Sequence, residues 1–332
     1  MITRRNFLHR AGCAASIAGL AFLNRLPPIA AADAKMPKDI VRFHADIEPL
    51  VRLLEDTSRE RVLEEVANRI HRGTTYQEIL SALFLAGVRN VQPRPVGFKF
   101  HAVLVVNSAH LASLASPDSD RWLPIFWAID QFKSSQARDV EEGDWTMSAV
   151  DESAVPDSHK AKSALIQALD NWDESAADAA IVGMVRTAGA HEIYEVLAKY
   201  GARDFREIGH KEIYVANSFR LLEVIGWHHA EAVLRSLVYA MLDRDGEKEN
   251  PSKADLPADR PYRRNLENVK QISGNWLNGK PNSDATLEML RAIRDGSAID
   301  TSAKTIELLN RGVAPQSIWD ALFDGAGELL MR

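Results

Sequence analysis

The stretch "RERVLEEVANRIHRGTTYQEILSALFLAGVRNV", residues 59–91, decides the fold of this chain because it reads as two helices joined by a short turn. Its apolar positions follow the helical period and not the alternation of a strand. Each half starts after a threonine in capping-box spacing, Thr57 with Glu60 and Thr75 with Glu78. The stretch therefore predicts a helical hairpin.

The hairpin recurs along the chain. "RGTTYQEILSALF", residues 72–84, matches "RGVAPQSIWDALF", residues 311–323, at seven of thirteen positions. A looser match joins "FKFHAVLVVNS", residues 98–108, to "EIGHKEIYVANS", residues 207–218, and each begins an apolar helix with a histidine and carries an Asn-Ser pair two turns later. These matches predict copies of one helical-hairpin unit.

The last copy is shorter than the first. His101 follows Phe84 by seventeen residues, whereas nine residues follow Phe323. We expect the final repeat to be truncated at Arg332; the alternative is a terminal cap that lacks its second helix.

Helical periodicity extends over nearly the whole chain and predicts an all-α fold, a multi-helix array of repeated hairpins around a central cavity. The polar segments 138–157 and 244–260 are candidate boundaries within one domain over residues 33–332. About fourteen helices are predicted, at 36–55, 58–72, 75–91, 99–114, 119–137, 158–171, 175–187, 190–200, 204–225, 228–243, 261–278, 284–295, 301–310 and 315–331.

Residues 1–32 are typical of a twin-arginine signal peptide. Arg4 and Arg5 precede an uncharged run that is too short for a spanning helix, and small residues follow in the spacing that signal peptidase accepts. We expect cleavage after Ala32 or Ala34, export by the twin-arginine machinery to the periplasm or beyond, and no integral membrane segment afterwards. An uncleaved N-terminal anchor is the alternative.

Charge and cysteine content exclude several classes of function. The formal net charge is −6, and loss of the four arginines and no acidic residue in residues 1–32 makes it −10, which argues against nucleic-acid partners. The single cysteine, Cys13, lies in the signal, so the mature chain has no disulfide, iron–sulfur cluster or thiolate zinc site. A metal would need histidine and carboxylate ligands.

Four histidines are candidate metal ligands. His101, His191 and His210 each follow a glycine or aromatic break at the start of an amphipathic helix. A helix N-terminus disfavours imidazolium, and neutral imidazole is the form that binds metals. His229 lies on a small-residue stripe and is the fourth candidate, with His228 as the alternative. Core or capping roles remain the competing interpretation.

Familiar catalytic motifs are missing. "HEIYE" at His191 offers Glu195 in place of the second histidine of a zinc protease. Glu-x-x-His occurs once, from Glu207 to His210, whereas di-iron bundles need it on two helices. No glycine-rich phosphate loop or nucleotide-cofactor motif is present.

"GAHEIYEVLAKYGARDF", "GHKEIYVANSFRLLEVIG" and "FKFHAVLVV" resemble segments of the questin oxidase-like proteins, a resemblance that spans roughly residues 75–280. The resemblance implies an all-α fold and a non-haem iron site of several histidines that uses O₂ on aromatic substrates. It makes His101, His191, His210 and His229 the candidate ligands, with Lys270 as a candidate for a carboxylated lysine ligand.

The sequence thus predicts an exported non-haem iron oxygenase or oxidase that acts on a small organic, possibly aromatic, molecule. Two alternatives stay open. One is a non-catalytic helical-repeat protein of the periplasm, whose concave surface binds a partner. The other is a zinc-dependent hydrolase.

Overall fold

A computed structural model describes residues 43–244, 250–251 and 255–331. The predicted signal, its cleavage sites and Cys13 lie outside the described residues. The described residues form an all-α structure, as predicted, with fourteen helices. In chain order these are α1 Glu48–Asp56, α2 Arg59–His71, α3 Tyr76–Asn90, α4 His101–Ala115, α5 Trp122–Glu142, α6 Ser158–Asn171, α7 Glu174–Thr187, α8 Ala190–Gly201, α9 His210–Ile225, α10 Ala230–Met241, α11 Arg260–Asn268, α12 Ser283–Asp295, α13 Ala298–Asn310 and α14 Pro315–Met331.

The chain divides into two compact units, one up to Ala254 and one from Asp255. The division lies inside the polar segment 244–260, whereas the segment 138–157 belongs to the first unit. Helices α1–α10 enclose one apolar core, and α12–α14 enclose a second, smaller one around Met289 and Leu308.

Helix α3 occupies the centre of the first unit. Its residues 79–89 are all buried, so this helix is surrounded on every side. Helices α1, α4, α5, α9 and α10 pack against it. Side chains such as Leu80 and Phe84 are fully buried in the core around this helix. A cavity of about 220 Å³ lies at the surface, between α6, α7 and α8.

The repeated hairpin is visible in both units. Helices α2 and α13 each have thirteen residues and follow a serine N-cap. Both end before a left-handed glycine, Gly73 with φ 100° and Gly312 with φ 81°. The same pair of backbone hydrogen bonds closes each turn. Glycine suits these positions because it lacks the Cβ that disfavours positive φ.

Several predicted helix limits were wrong. Ser58, and not Thr57, is the N-cap of α2, so the predicted capping box is absent there, whereas that of Thr75 and Glu78 is present. Helix α5 continues to Glu142, five residues beyond its predicted end. The helix predicted over 261–278 ends at Asn268.

The chain after α11 is held by Asn310. The Asn310 side chain accepts a hydrogen bond from the Ser273 amide (2.8 Å) and donates one to the Gln271 carbonyl oxygen (2.8 Å). These hydrogen bonds to Asn310 of α13 take the place of the backbone hydrogen bonds that would continue α11. Across the described residues, no helix has an apolar stretch long enough to cross a bilayer.

Candidate two-histidine site

Two of the predicted ligands lie at the starts of neighbouring helices, and the ring of each one contacts the turn of the chain just before it. His101 is the first residue of α4, and His210 is the first residue of α9. The Nδ1 of His101 lies 2.9 Å from the Phe98 carbonyl oxygen, and the Nδ1 of His210 lies 2.7 Å from the Glu207 carbonyl oxygen. Because a carbonyl oxygen can only accept, both Nδ1 atoms carry the hydrogen. In the neutral rings, both Nε2 atoms are therefore left with a free lone pair.

Those two lone pairs face one another. The Nε2 atoms of His101 and His210 are 3.0 Å apart, with the rings 4.8 Å between centroids and inclined at 78°. Two lone pairs at this distance repel unless a proton or a metal ion lies between them. With histidine–metal bonds of about 2.05 Å, this separation corresponds to an angle of about 94° at the metal. The arrangement fits two adjacent coordination positions of one ion.

Gly97 allows the rings to approach the chain. A Cβ at this position would lie 3.4 Å from Cε1 of His210 and 3.6 Å from Cε1 of His101. Any larger side chain would displace one of the two rings. A lone Cβ would be in ordinary contact with both rings, so the restriction at Gly97 applies to side chains larger than that of alanine.

The two helices beneath the pair are fixed to one another. Two turns beyond the histidines, the Asn107 amide donates to Oδ1 of Asn217 (3.2 Å), and the Asn217 amide donates to the Leu104 carbonyl oxygen (2.9 Å). Because the histidines meet at both helix starts and the asparagines meet further along, α4 and α9 run parallel. The asparagines of the two Asn-Ser pairs that align in sequence therefore mark one shared interface.

A buried ion pair anchors the turn before His101. The Lys99 Nζ lies 2.7 Å from Asp139 and 2.9 Å from Glu142, and Lys99 and Asp139 are both buried. Burial opposes the lysine charge, but the hydrogen bonds to the two carboxylates prevail and raise the pKa of Lys99. Asp139 also accepts from the backbone amides of Gln92 and Trp145. The turn is therefore tied to the end of α5.

A second buried ion pair anchors the turn before His210. The Lys211 Nζ lies 3.0 Å from Asp204 and also donates to the Asp243 carbonyl oxygen (3.1 Å). Burial lowers the pKa of Lys211 despite this partner. Glu212 carries a buried carboxylate oxygen without a hydrogen-bond partner, and burial raises its pKa. The charged groups of this turn face the interior.

The turns that precede the two histidines expose apolar side chains. Phe98 is 65% exposed, Phe205 57% and Ile208 69%; we call these three residues the apolar rim. Phe98 has φ 53° and Ile208 has φ 45°, a left-handed conformation that costs a bulky residue about 1–3 kcal/mol. Strained backbone of this kind is common at binding sites.

The fourth predicted ligand belongs to a different group. His229 is buried in the turn before α10, with its ring 3.9 Å from that of His228 and 6.0 Å from that of His44, between centroids. The Nε2 of His44 donates to the His228 carbonyl oxygen (3.2 Å). Burial, and then the two neighbouring histidines, lower the pKa of His229 to about 4. We call His44, His228 and His229 the His229 cluster.

The two remaining candidates are surface residues of other helical segments. His191 is exposed in the first turn of α8, and Lys270 is exposed in the second unit, 2.7 Å from Glu267. Over the described parts of the chain, no three His, Cys, Asp or Glu side chains are grouped so that they could hold a metal ion. His101 and His210 are the predicted ligands that the structure brings together, and the four-histidine set stays a prediction.

Sequence reasoning missed the residues that support the pair. Gly97, Lys99 and Lys211 carry no motif of their own. The alignment of "FKFH" with "EIGH" did contain a signal, since a lysine adjoins the histidine in one segment and lies two positions away in the other. However, a lysine next to an aromatic residue is normally interpreted as a surface residue, and its burial cannot be recognised from the sequence.

Comparison with models of protein families, with curated proteins and with solved structures gave no match.

Proposed function

We propose that this protein binds a first-row transition metal through the Nε2 atoms of His101 and His210, and that it acts as an exported oxidoreductase with this metal. The observation that carries the proposal is the 3.0 Å separation of two Nε2 atoms whose Nδ1 atoms both face carbonyl oxygens. A shared proton is the competing explanation.

Iron is the metal that we expect. The resemblance to the questin oxidase-like proteins supports iron, O₂ as oxidant and a small organic substrate. Adjacent coordination positions at about 94° are compatible with the near-octahedral geometry of non-haem iron. Bound iron would supply O₂ activation. His101 and His210 would hold it, while Gly97 and the two buried lysine pairs keep the rings in place.

The ligand set of one chain is incomplete for such a centre. Non-haem iron oxygenases with a facial triad use three protein ligands, and the described residues place two at this site. The carboxylate of Glu212 lies next to the turn before His210, with Oε2 3.9 Å from the Cβ position of Gly209. A metal held by His101 and His210 would therefore need further ligands.

Metal analysis tests the proposal. The full chain is purified without added chelator, and its metal content is measured by mass spectrometry for the wild type, His101→Ala and His210→Ala. His159→Ala removes an exposed histidine of α6 and is the matched control. We expect bound iron in the wild type and the control, and at least a tenfold loss in both site variants, because each removes one of two ligands.

Other results would contradict the proposal. A folded, metal-free wild type would favour the shared proton and the binding-protein alternative, for which the exposed Trp319 and Phe323 of α14 offer an apolar surface. Zinc in place of iron would support a hydrolase. Equal metal content in all four proteins would show that the metal lies elsewhere.

A further inference from the structure

Next to the two-histidine site, apolar side chains are exposed and charged side chains are buried or half-buried. Between residues 204 and 213, the exposed residues are Phe205, Ile208 and Ile213. The charged residues of the same segment are buried or half-buried, namely Asp204, Arg206, Glu207, Lys211 and Glu212. The turn before His101 repeats the pattern, with Lys99 buried and Phe98 exposed. Such a surface is typical of an interface, since charges are depleted and aromatic residues enriched there.

The site itself is open toward this surface. The His101 ring is exposed, and the His210 ring is half-buried. Since no third His, Cys, Asp or Glu of the described residues joins the pair as a ligand, the vacant coordination positions of a metal would face outward. Ligands that complete it would approach from the side of the apolar rim.

We propose that His101 and His210 form one half of a four-histidine metal site shared by two copies of this chain, with the apolar rims packed around the metal. This inference rests on the proposed metal binding. A twofold axis through the ion would place two Nε2 atoms from each copy around it. Four imidazole ligands suit tetrahedral or near-octahedral first-row metals.

A second copy fits the surface better than an unrelated partner for two reasons. The interface of a twofold dimer is self-complementary, so a patch that carries two ligands and an apolar rim supplies both halves of the site. The chain has a net charge of −6, and charge repulsion opposes self-association over most of its surface. Residues 204–213 expose apolar side chains and keep their charged ones buried or half-buried, so this segment adds little to that repulsion.

A metal titration with mass determination tests this arrangement. The full chain is stripped with a chelator, and Fe²⁺ without oxygen, or Zn²⁺ as a redox-inert probe, is added in steps while light scattering reports the mass. We expect a monomer without metal and a dimer with it, with the change complete at half an equivalent of metal per chain. His101→Ala and His210→Ala should remain monomeric at all metal concentrations tested.

Rim variants test the interface without removing a ligand. Phe98→Asn and Ile208→Asn replace exposed apolar side chains, and asparagine tolerates the left-handed backbone at both positions, so the fold should be retained. We expect each to weaken metal-dependent dimerisation at least tenfold, although both histidine ligands remain in place. Leu111→Asn, which removes an exposed leucine of α4 away from the rim, should dimerise as the wild type does.

Each other outcome overturns part of the reasoning. A monomer with one metal per chain would refute the shared site and leave the proposed metal binding intact. Absence of metal binding would refute both. A dimer that survives the chelator and both histidine variants would show that the metal does not bridge the copies, and unchanged dimerisation of the rim variants would place the interface elsewhere.

Discussion

Acidification should destabilise the first unit through His229. This side chain is 6% exposed, and its folded pKa of about 4 lies below the ordinary value of 6.5. Between these two values the unfolded chain binds more protons than the folded one, so stability falls as the pH falls. The linkage relation gives a loss of about 2 kcal/mol from pH 7 to pH 5, and about 3 kcal/mol once the loss is complete below pH 4.

Urea denaturation of the wild type and of His229→Gln at pH 7, 6 and 5 measures this effect. Glutamine does not titrate, so the variant should lose about 2 kcal/mol less than the wild type over this range, whatever its stability at pH 7. His44, His228 and Asp46 also act on the His229 ring, and they remain in both proteins. His159→Gln, at an exposed site, should keep the wild-type dependence. Equal losses in the wild type and His229→Gln would refute the assignment of the lowered pKa to His229.

Three further predictions concern the supports of the fold and of the two-histidine site. Gly97→Val should lower metal affinity at least tenfold in an equilibrium titration because the side chain displaces the histidine rings, whereas Gly189→Val, in open space, should not. Asp204→Asn should lower the free energy of unfolding by about 3 kcal/mol, because it leaves Lys211 charged and buried without its carboxylate. Thr75→Ala should cost about 1 kcal/mol in urea denaturation through loss of the capping box of α3.

Each of these has a result that would contradict it. Unchanged metal affinity in Gly97→Val would mean that the rings tolerate displacement. An Asp204→Asn protein of wild-type stability would mean that Lys211 loses its charge at no cost. For the helix cap, Thr57→Ala is the matched control, because Ser58 is the N-cap of α2; a larger effect there than in Thr75→Ala would contradict the observed caps.

Helix positions were largely predictable because they depend on local pattern. The capping box of Thr75 was predicted correctly, as was the hairpin repeat that joins α2–α3 to α13–α14. Errors arose where a distant contact competes with local preference. Asn310 draws the chain after Asn268 out of the helix that its periodicity indicates, through hydrogen bonds to residues 37 and 39 positions away.

The candidate site was predictable in part. The shared position of His101 and His210 in two related segments was visible in the sequence. The same reasoning grouped them with His191, because a histidine at a helix start looks alike wherever that start lies in space, and the small-residue stripe of His229 added a fourth candidate. In the structure His229 joins His44 and His228.

The sequence by itself determined the all-α class, the approximate positions of most helices, the capping box of α3 and the repeated hairpin, because these follow from interactions within a few residues of one another. The tertiary structure alone decided which histidines meet. His101 and His210 are 109 residues apart, and they face each other because α4 and α9 pack in parallel through Asn107 and Asn217. The tertiary structure also decided that Lys99 and Lys211 are buried while Phe98 and Phe205 are exposed. Burial depends on the whole set of neighbours and not on the residue itself.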